Sequence, residues 1–265
     1  MLTSLQNPLV KQARKLHQSK GRKSQQLLLL EGTHLLEEAC ASSYPLETVF
    51  CTAQWQEKHP QLWENLRQRA KTLELVSPKV LEAIATTVNP DGAIATAPRT
   101  GRDFPPITSL GLALETIQDP GNLGAIIRTA AATDAEGLLV SSDSADLDHP
   151  KVLRASAGTW FKLAMGVSGD LIGQLEQYQQ QGLQVVATVP NAGLNYWQID
   201  LREPTIILLG NEGAGLSQEV IERADKTISI PLSRGVESLN VAIIAALILY
   251  EAQRQRQGEA IGKRQ

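Results

Sequence analysis

Cysteine is almost missing from this chain, which carries two in 265 residues, Cys40 and Cys51. Two isolated thiols supply neither the disulfide framework of a small secreted fold nor a thiolate metal cluster. Aromatic residues are also scarce, at 4%. No apolar run approaches the roughly 20 residues needed to cross a bilayer; the longest, VAIIAALILY, covers residues 241–250 and predicts a buried helix. The opening MLTSLQNPLV has no basic-then-apolar leader pattern. Together these absences predict a cytoplasmic protein with no membrane segment and no metal. Apolar residues at 42% and charged residues at 20% are ordinary globular usage and exclude a disordered scaffold. The length suits one large domain or two modest ones.

Acidic residues are absent before Glu31, although the net charge of the whole chain is −3. The same stretch holds Lys11, Arg14, Lys15, Lys20, Arg22 and Lys23, with His17 among them, and a smaller basic group (Arg254, Arg256, Lys263, Arg264) lies at the other end. Such patches suit a polyanion, because neutralising phosphates releases counterions; a solvated helix face is the plainer alternative.

Up to about residue 100 the pattern is that of a small α/β unit. NPLVKQARKLHQ has amphipathic helical spacing, LETVFCT and DGAIATA read as strands, and SPKVLEAIA offers a serine cap before apolar residues. Residues 97–111, rich in proline and glycine, read as a linker and place the boundary between residues 1–104 and 105–265. Beyond it strands and helices alternate, from GLALETI through NLGAIIRTAAATDA, GLLVSS, PKVLRASAGTW and TIILLG to a long last helix starting near SLNVAII. Alternation of this kind predicts a mostly parallel sheet covered on both faces, with ligands beyond the carboxyl ends of its strands.

Three stretches leave a strand and turn toward a helix through small or polar residues. In QDPGNLGAIIRTAAA (118–132), Asn122 is a candidate helix cap, and Arg128 shares a face with Gly121, Gly124, Ala125 and Ala132. In IILLGNEGAG (206–215), the glycines run G-x-x-G-x-G, the reverse of the dinucleotide fingerprint, and no lysine follows to build a Walker-type phosphate loop. A nicotinamide oxidoreductase is therefore disfavoured, leaving a strand end with backbone donors and one carboxylate, Glu212. In SIPLSRGVESLNVAIIAALILYE (229–251), Ser238 and Asn240 precede nine apolar residues, so polar groups at the mouth of that helix face a pocket or a subunit interface.

In this order and spacing, DPGNLGAIIRTA, LLGNEGAGLS and IPLSRGVESLNVAIIAALILYE resemble the three motifs of the SpoU/TrmH family of RNA ribose 2′-O-methyltransferases, within the SPOUT superfamily. PKVLRASAG (150–158) is similar to a family segment between the first two motifs. TSLQNPLVKQARKL and LLLEGTHLLEEA resemble the small, ribosomal-protein-like substrate-binding domain of many ribosomal-RNA members. The resemblance implies an α/β catalytic domain tied in a deep trefoil knot, homodimers joined through the last helix, and S-adenosylmethionine as cofactor. It places Asn122, Arg128, Glu212, Ser238 and Asn240 at the catalytic site. It puts Leu209, Gly210, Ile230 and Leu239 at the cofactor, with Thr188 and Val189 near it, and structured RNA, ribosomal above all, on Lys11, Arg14, Lys15, Lys20, Arg22 and Lys23. A transfer-RNA methyltransferase and a catalytically silent RNA-binding assembly factor are the alternatives.

Arg128 has been cast as the base in such enzymes. Guanidinium groups stay protonated in proteins, so stabilisation of a developing alkoxide or a neighbouring phosphate is the sounder assignment, with Glu212 orienting Arg128 or holding the loop. Where many members have glycine three residues after the proline of the IP pair, this chain has Arg234 followed by Gly235, and Leu232 replaces methionine.

Overall fold

A computed structural model describes residues 1–101, 103–233 and 235–262. The chain packs as two compact units, Met1–Gly101 with Asp146–Lys162, and Arg102–Ala145 with Leu163–Gln265. Its first part runs α1 (Pro8–Lys15), α2 (Ser19–Gln25), β1 (Leu27–Glu31), α3 (Thr33–Ala41), β2 (Leu46–Cys51), α4 (Ala53–Lys58), α5 (Pro60–Arg69), β3 (Ala70–Leu75), α6 (Pro78–Ile84) and β4 (Ala93–Pro98). There follow β5 (Leu110–Leu114), α7 (Pro120–Ala132), β6 (Gly137–Ser141), α8 (Pro150–Ala155), β7 (Ala164–Ser168), α9 (Leu171–Gln180) and β8 (Gln184–Thr188). The chain ends with β9 (Thr205–Leu209), α10 (Gln218–Glu222), β10 (Lys226–Ile228) and α11 (Val241–Gly262).

The first unit is built on a mixed sheet in the order β1-β4-β2-β3, antiparallel except for β2 with β3. Helix α1 buries Val10 and Ala13 in a core shared with Leu29, Phe50, Val80 and Ile84. Ser77 caps α6 as its sequence signature requires, its hydroxyl accepting from Val80 N–H. Helix α2 is short and has no apolar residue, which hides it from periodicity; it packs so closely on α1 that a Cβ at Gly21 would stand 1.8 Å from the Lys15 carbonyl oxygen.

Residues 146–162, read from sequence as part of the second region, belong to the first unit. Ion pairs hold them there: Asp146 with Arg22 at 2.6 Å, Asp148 with Arg99, Arg154 with Glu31 at 3.0 Å and Lys162 with Glu38 at 2.7 Å. Helix α8 stops at Ala155 rather than running to Trp160, because Ala157 and Gly158 turn left-handed at φ 47° and 83°.

The second unit contains one six-stranded parallel sheet, ordered β10-β8-β9-β5-β6-β7. Strands β5, β6 and β9 are buried at every position, which is why each reads as an unbroken apolar run. Helix α11 packs on α7 and buries Val241, Ala245, Ile248, Leu249 and Ala252, but it leaves Ile243 and Tyr250 about half exposed. Its far end is fastened by Arg256, which donates to the carbonyls of Leu201, Ser109 and Glu203, so this arginine is no part of a polyanion patch. Arg254 pairs with Glu251, and Lys263 and Arg264 lie outside the described residues.

Candidate active site

The carboxyl ends of β5 and β9 are neighbours in the sheet, and the polar stretches found in sequence meet there. Residues 210–217 form a tight, internally bonded loop. Asn211 and Gly215 exchange both backbone hydrogen bonds, at 3.0 and 2.9 Å, and the Asn211 side-chain oxygen accepts from Gly213 and Ala214 N–H. That closure explains Gly210: a Cβ there would come within 2.3 Å of the Gly215–Leu216 peptide. The loop is stitched to the segment after β5. Asn211 Nδ2 donates to Thr116 O at 2.8 Å, and the Glu115 carboxylate accepts from both the N–H and the hydroxyl of Ser217, the N-cap of α10.

Glu212 is exposed but fully engaged. Its carboxylate accepts from Gln118 N–H at 3.3 Å, Asp119 N–H at 3.2 Å and Asn122 Nδ2 at 3.0 Å. An anion at the positive end of α7 is favoured by the orphan N–H groups there. Partial burial pushes the Glu212 carboxyl up, and these hydrogen bonds outweigh it, so the group titrates below its ordinary value. Asn240 Nδ2 in turn donates to Asn122 Oδ1 at 2.9 Å, while Asn240 Oδ1 caps α11 through Ala242 N–H. Glu212, Asn122 and Asn240 thus form one chain of hydrogen bonds joining all three motifs.

Several sequence expectations change here. Asp119, not Asn122, caps α7 by accepting from Gly121 N–H, which frees the Asn122 amide to bridge Glu212 and Asn240. Helix α11 is capped by Asn240. Glu212 does not orient Arg128: it is bonded to Gln118, Asp119 and Asn122 at the start of α7, whereas Arg128 lies six residues beyond Asn122, roughly 9 Å along the axis. Arg128 is exposed and, among the described residues, its side chain forms no hydrogen bond or ion pair. Glu115 and Asn211, which build the loop, escaped the sequence reading; the N-x-G-A turn pattern was the one available signal.

Beside this bridge lies a cleft lined by Thr188, Val189, Ile230, Leu232, Ser238, Leu239 and Ile244, with the acidic residue Glu237 also on it. Among the described residues, the backbone N–H groups of Ile230 and Leu239, which line the cleft, and of Gly210, which like Leu209 does not, make no hydrogen bond, leaving them for a ligand or water. Apolar walls, idle backbone donors and one carboxylate fit a ligand that combines a flat heteroaromatic ring with a cationic centre. Leu209 points its buried side chain into the core and is not on the cleft wall. Arg234 lies outside the described residues, and Gly235 turns left-handed at φ 71°.

In the first unit, Lys11, Arg14, Lys15 and Lys20 share one shallow depression with His17, and Lys23 is exposed on α2. Arg22 is not with them. It is 1% exposed, with Nη1 on the carbonyls of Leu16 and His17 and Nη2 on Asp146, which makes it a structural group.

Comparison with known proteins agrees across both units. The profile of the SpoU rRNA Methylase family matches residues 109–250, and that of the MRM3-like substrate binding domain matches residues 7–95. An uncharacterized tRNA/rRNA methyltransferase of Synechocystis sp. is 51% identical, with 96% of this chain and 94% of the relative covered. The 23S rRNA (guanosine(2553)-2'-O)-methyltransferase RlmP of Bacillus subtilis is 30% identical, with 94% and 97% covered. The solved SpoU methyltransferase AviRb from Streptomyces viridochromogenes, in complex with its cofactor AdoMet, superposes with a TM-score of 0.86 at 29% identity, over 95% of this chain and 99% of that one. With its α/β fold, its three joined motifs and an accessory domain of matching type, the chain belongs to the SpoU rRNA methylase family of RNA methyltransferases.

Proposed function

We propose that this protein transfers a methyl group from S-adenosylmethionine to a ribose 2′-hydroxyl of ribosomal RNA. The observation that carries the reading is the hydrogen-bonded bridge of Glu212, Asn122 and Asn240 beside a cleft with idle backbone donors. Similarity to a 23S rRNA methyltransferase across both units favours ribosomal over transfer RNA.

The cofactor would supply an electrophilic methyl on a sulfonium, held along the edges of Gly210, Ile230 and Leu239 with Thr188 and Val189 on the wall. The remaining work falls to the chain. Arg128, exposed on α7 with its guanidinium uncommitted, stabilises the alkoxide that develops as the hydroxyl gives up its proton to solvent water, or the phosphate beside it. Ser238 and Asn240 position the nucleotide at the mouth of α11. Glu212 acts as a brace rather than a base, since its oxygens are spent on the start of α7. The test is to incubate the protein with labelled S-adenosylmethionine and total RNA: label in ribosomal RNA supports the reading, and cofactor binding without transfer to any RNA points to a silent assembly factor.

Lys11, Arg14, Lys15, Lys20 and Lys23 would hold RNA phosphates, in a cytoplasmic protein where ribosomal RNA is within reach. Replacing Lys11, Arg14 and Lys15 together by glutamine should lower RNA affinity in a filter-binding assay and flatten its logarithmic salt dependence by up to about 3. Cofactor affinity, measured by calorimetry, should not move.

The catalytic unit would form a trefoil knot through residues 189–204, 210–217 and 229–240, and would dimerise through α11. Supporting the dimer, Ile243 and Tyr250 are 51% and 53% exposed and adjoin Tyr196, Ala246 and Leu247 in one apolar patch. Wild-type protein should sediment as a dimer and Ile243→Glu as a monomer; a monomeric wild type would remove the proposal.

A further inference from the structure

Among the described residues, Thr116 is the one β-branched residue with a positive φ. It follows β5 at φ 56°, in the left-handed region that a β-branched residue occupies only under compulsion. The compulsion can be named. Thr116 N–H donates to Ser141 Oγ at 2.8 Å, its hydroxyl donates to Asp143 Oδ2 at 2.7 Å, and its carbonyl accepts from Asn211 Nδ2 at 2.8 Å. Ser141 also donates to the other oxygen of Asp143, at 2.5 Å, so one carboxylate clamps both hydroxyls.

The segment 115–119 therefore lies between two loops. On one side, Ser144 Oγ accepts from Ile117 N–H and Ile117 O from Ala145 N–H. On the other, Glu115 holds Ser217, and Asn211 and Glu212 hold residues 116, 118 and 119. The left-handed turn at Thr116 redirects the chain from the strand so that the N–H groups of Gln118 and Asp119 meet Glu212 and α7 starts at Pro120, carrying Asn122 and Arg128 with it.

We propose that Thr116, clamped by Asp143 and Ser141, is a positioning residue that sets the 210–217 loop and the start of α7 in the arrangement needed for methyl transfer. It touches no reacting atom; it acts through Asn211, Glu212 and Asn122. What the positioned loops do rests on the methyltransferase reading above, whereas the clamp itself does not.

The test compares Thr116→Gly, Thr116→Val and Thr116→Ser. Glycine takes the left-handed turn without strain but loses the clamp, valine keeps the branch without the hydroxyl, and serine keeps the hydroxyl. Thr116→Gly should hold or raise the urea midpoint while amide hydrogen exchange in residues 116–122 and 210–217 accelerates about tenfold. With labelled S-adenosylmethionine and ribosomal RNA, kcat in that variant should fall about tenfold to a hundredfold, with KM for RNA within about twofold. Thr116→Val should lose kcat as well, and Thr116→Ser should restore both exchange protection and rate. Unchanged local exchange in Thr116→Gly, or a rate loss that only follows a falling urea midpoint, would overturn the proposal. Should the wild type transfer no methyl to RNA, the functional reading fails, and the exchange measurement alone decides on the clamp.

Discussion

Arg128→Ala should lose about 10²–10³-fold in kcat, the usual cost of removing one donor aimed at developing negative charge, and bind S-adenosylmethionine as before. The two halves of that result come from two features of the second unit. Arg128 is exposed on α7 and is spent on no other side chain or carbonyl among the described residues, so its charge is free for the substrate. The cleft assigned to the cofactor is lined from 188–190 and 228–244 and does not include Arg128. Arg128→Lys keeps a charge but loses the planar, multi-donor fork, and should recover only part of the rate. Equal loss of cofactor affinity and turnover in Arg128→Ala would mean that the residue builds the cleft instead of serving the chemistry.

The largest expected effect on stability lies elsewhere, at Arg22. This guanidinium is buried, bonded to Asp146 Oδ2 at 2.6 Å and to two carbonyls at the end of α1. Truncation to alanine strands the Asp146 carboxylate and the carbonyls of Leu16 and His17. Breaking such a pair from one side costs about 3 kcal/mol or more, and a melting shift on the order of 10 °C in calorimetry should follow. The same pair gives the first unit an acid limit. Burial pushes the Asp146 carboxyl up, but Arg22, with help from Ser19 and the Asp148 N–H, takes it below its ordinary value. A carboxylate lowered on folding stabilises the native state above its unfolded pKa, and that contribution disappears as pH falls through the folded value. Wild-type stability should therefore decline below about pH 4, and Asp146→Asn should flatten that decline while lowering stability at neutral pH.

How far these features could be read from the residue order differs from place to place for physical reasons. Strands β5, β6 and β9 announce themselves because burial on both faces demands unbroken apolar runs, and helix α11 does so because it is apolar both on the face it buries and on the face it leaves exposed. Ser77 announces a helix start because capping is local chemistry. The same locality misled at Asn122, where Asp119 takes the cap and the asparagine is released for a long-range role. Arg22 looked like one more cation in a basic stretch, because its partner Asp146 lies 124 positions away and leaves no periodic trace. The assignment of residues 146–162 to the first unit was hidden by the same kind of pairing, through Asp148 and Arg154. Thr116 gave no sign at all, since a left-handed threonine follows from the bonds around it and not from its own preference.

The most direct test of the account is to map the product. Unmethylated ribosomal RNA would be incubated with the protein and labelled S-adenosylmethionine, digested to nucleosides, and the labelled species identified by mass spectrometry, with transfer RNA treated in parallel. A single 2′-O-methylated nucleoside from ribosomal RNA, missing when Arg128→Ala replaces the wild type, is the predicted result; label on a base, or label confined to transfer RNA, would contradict it.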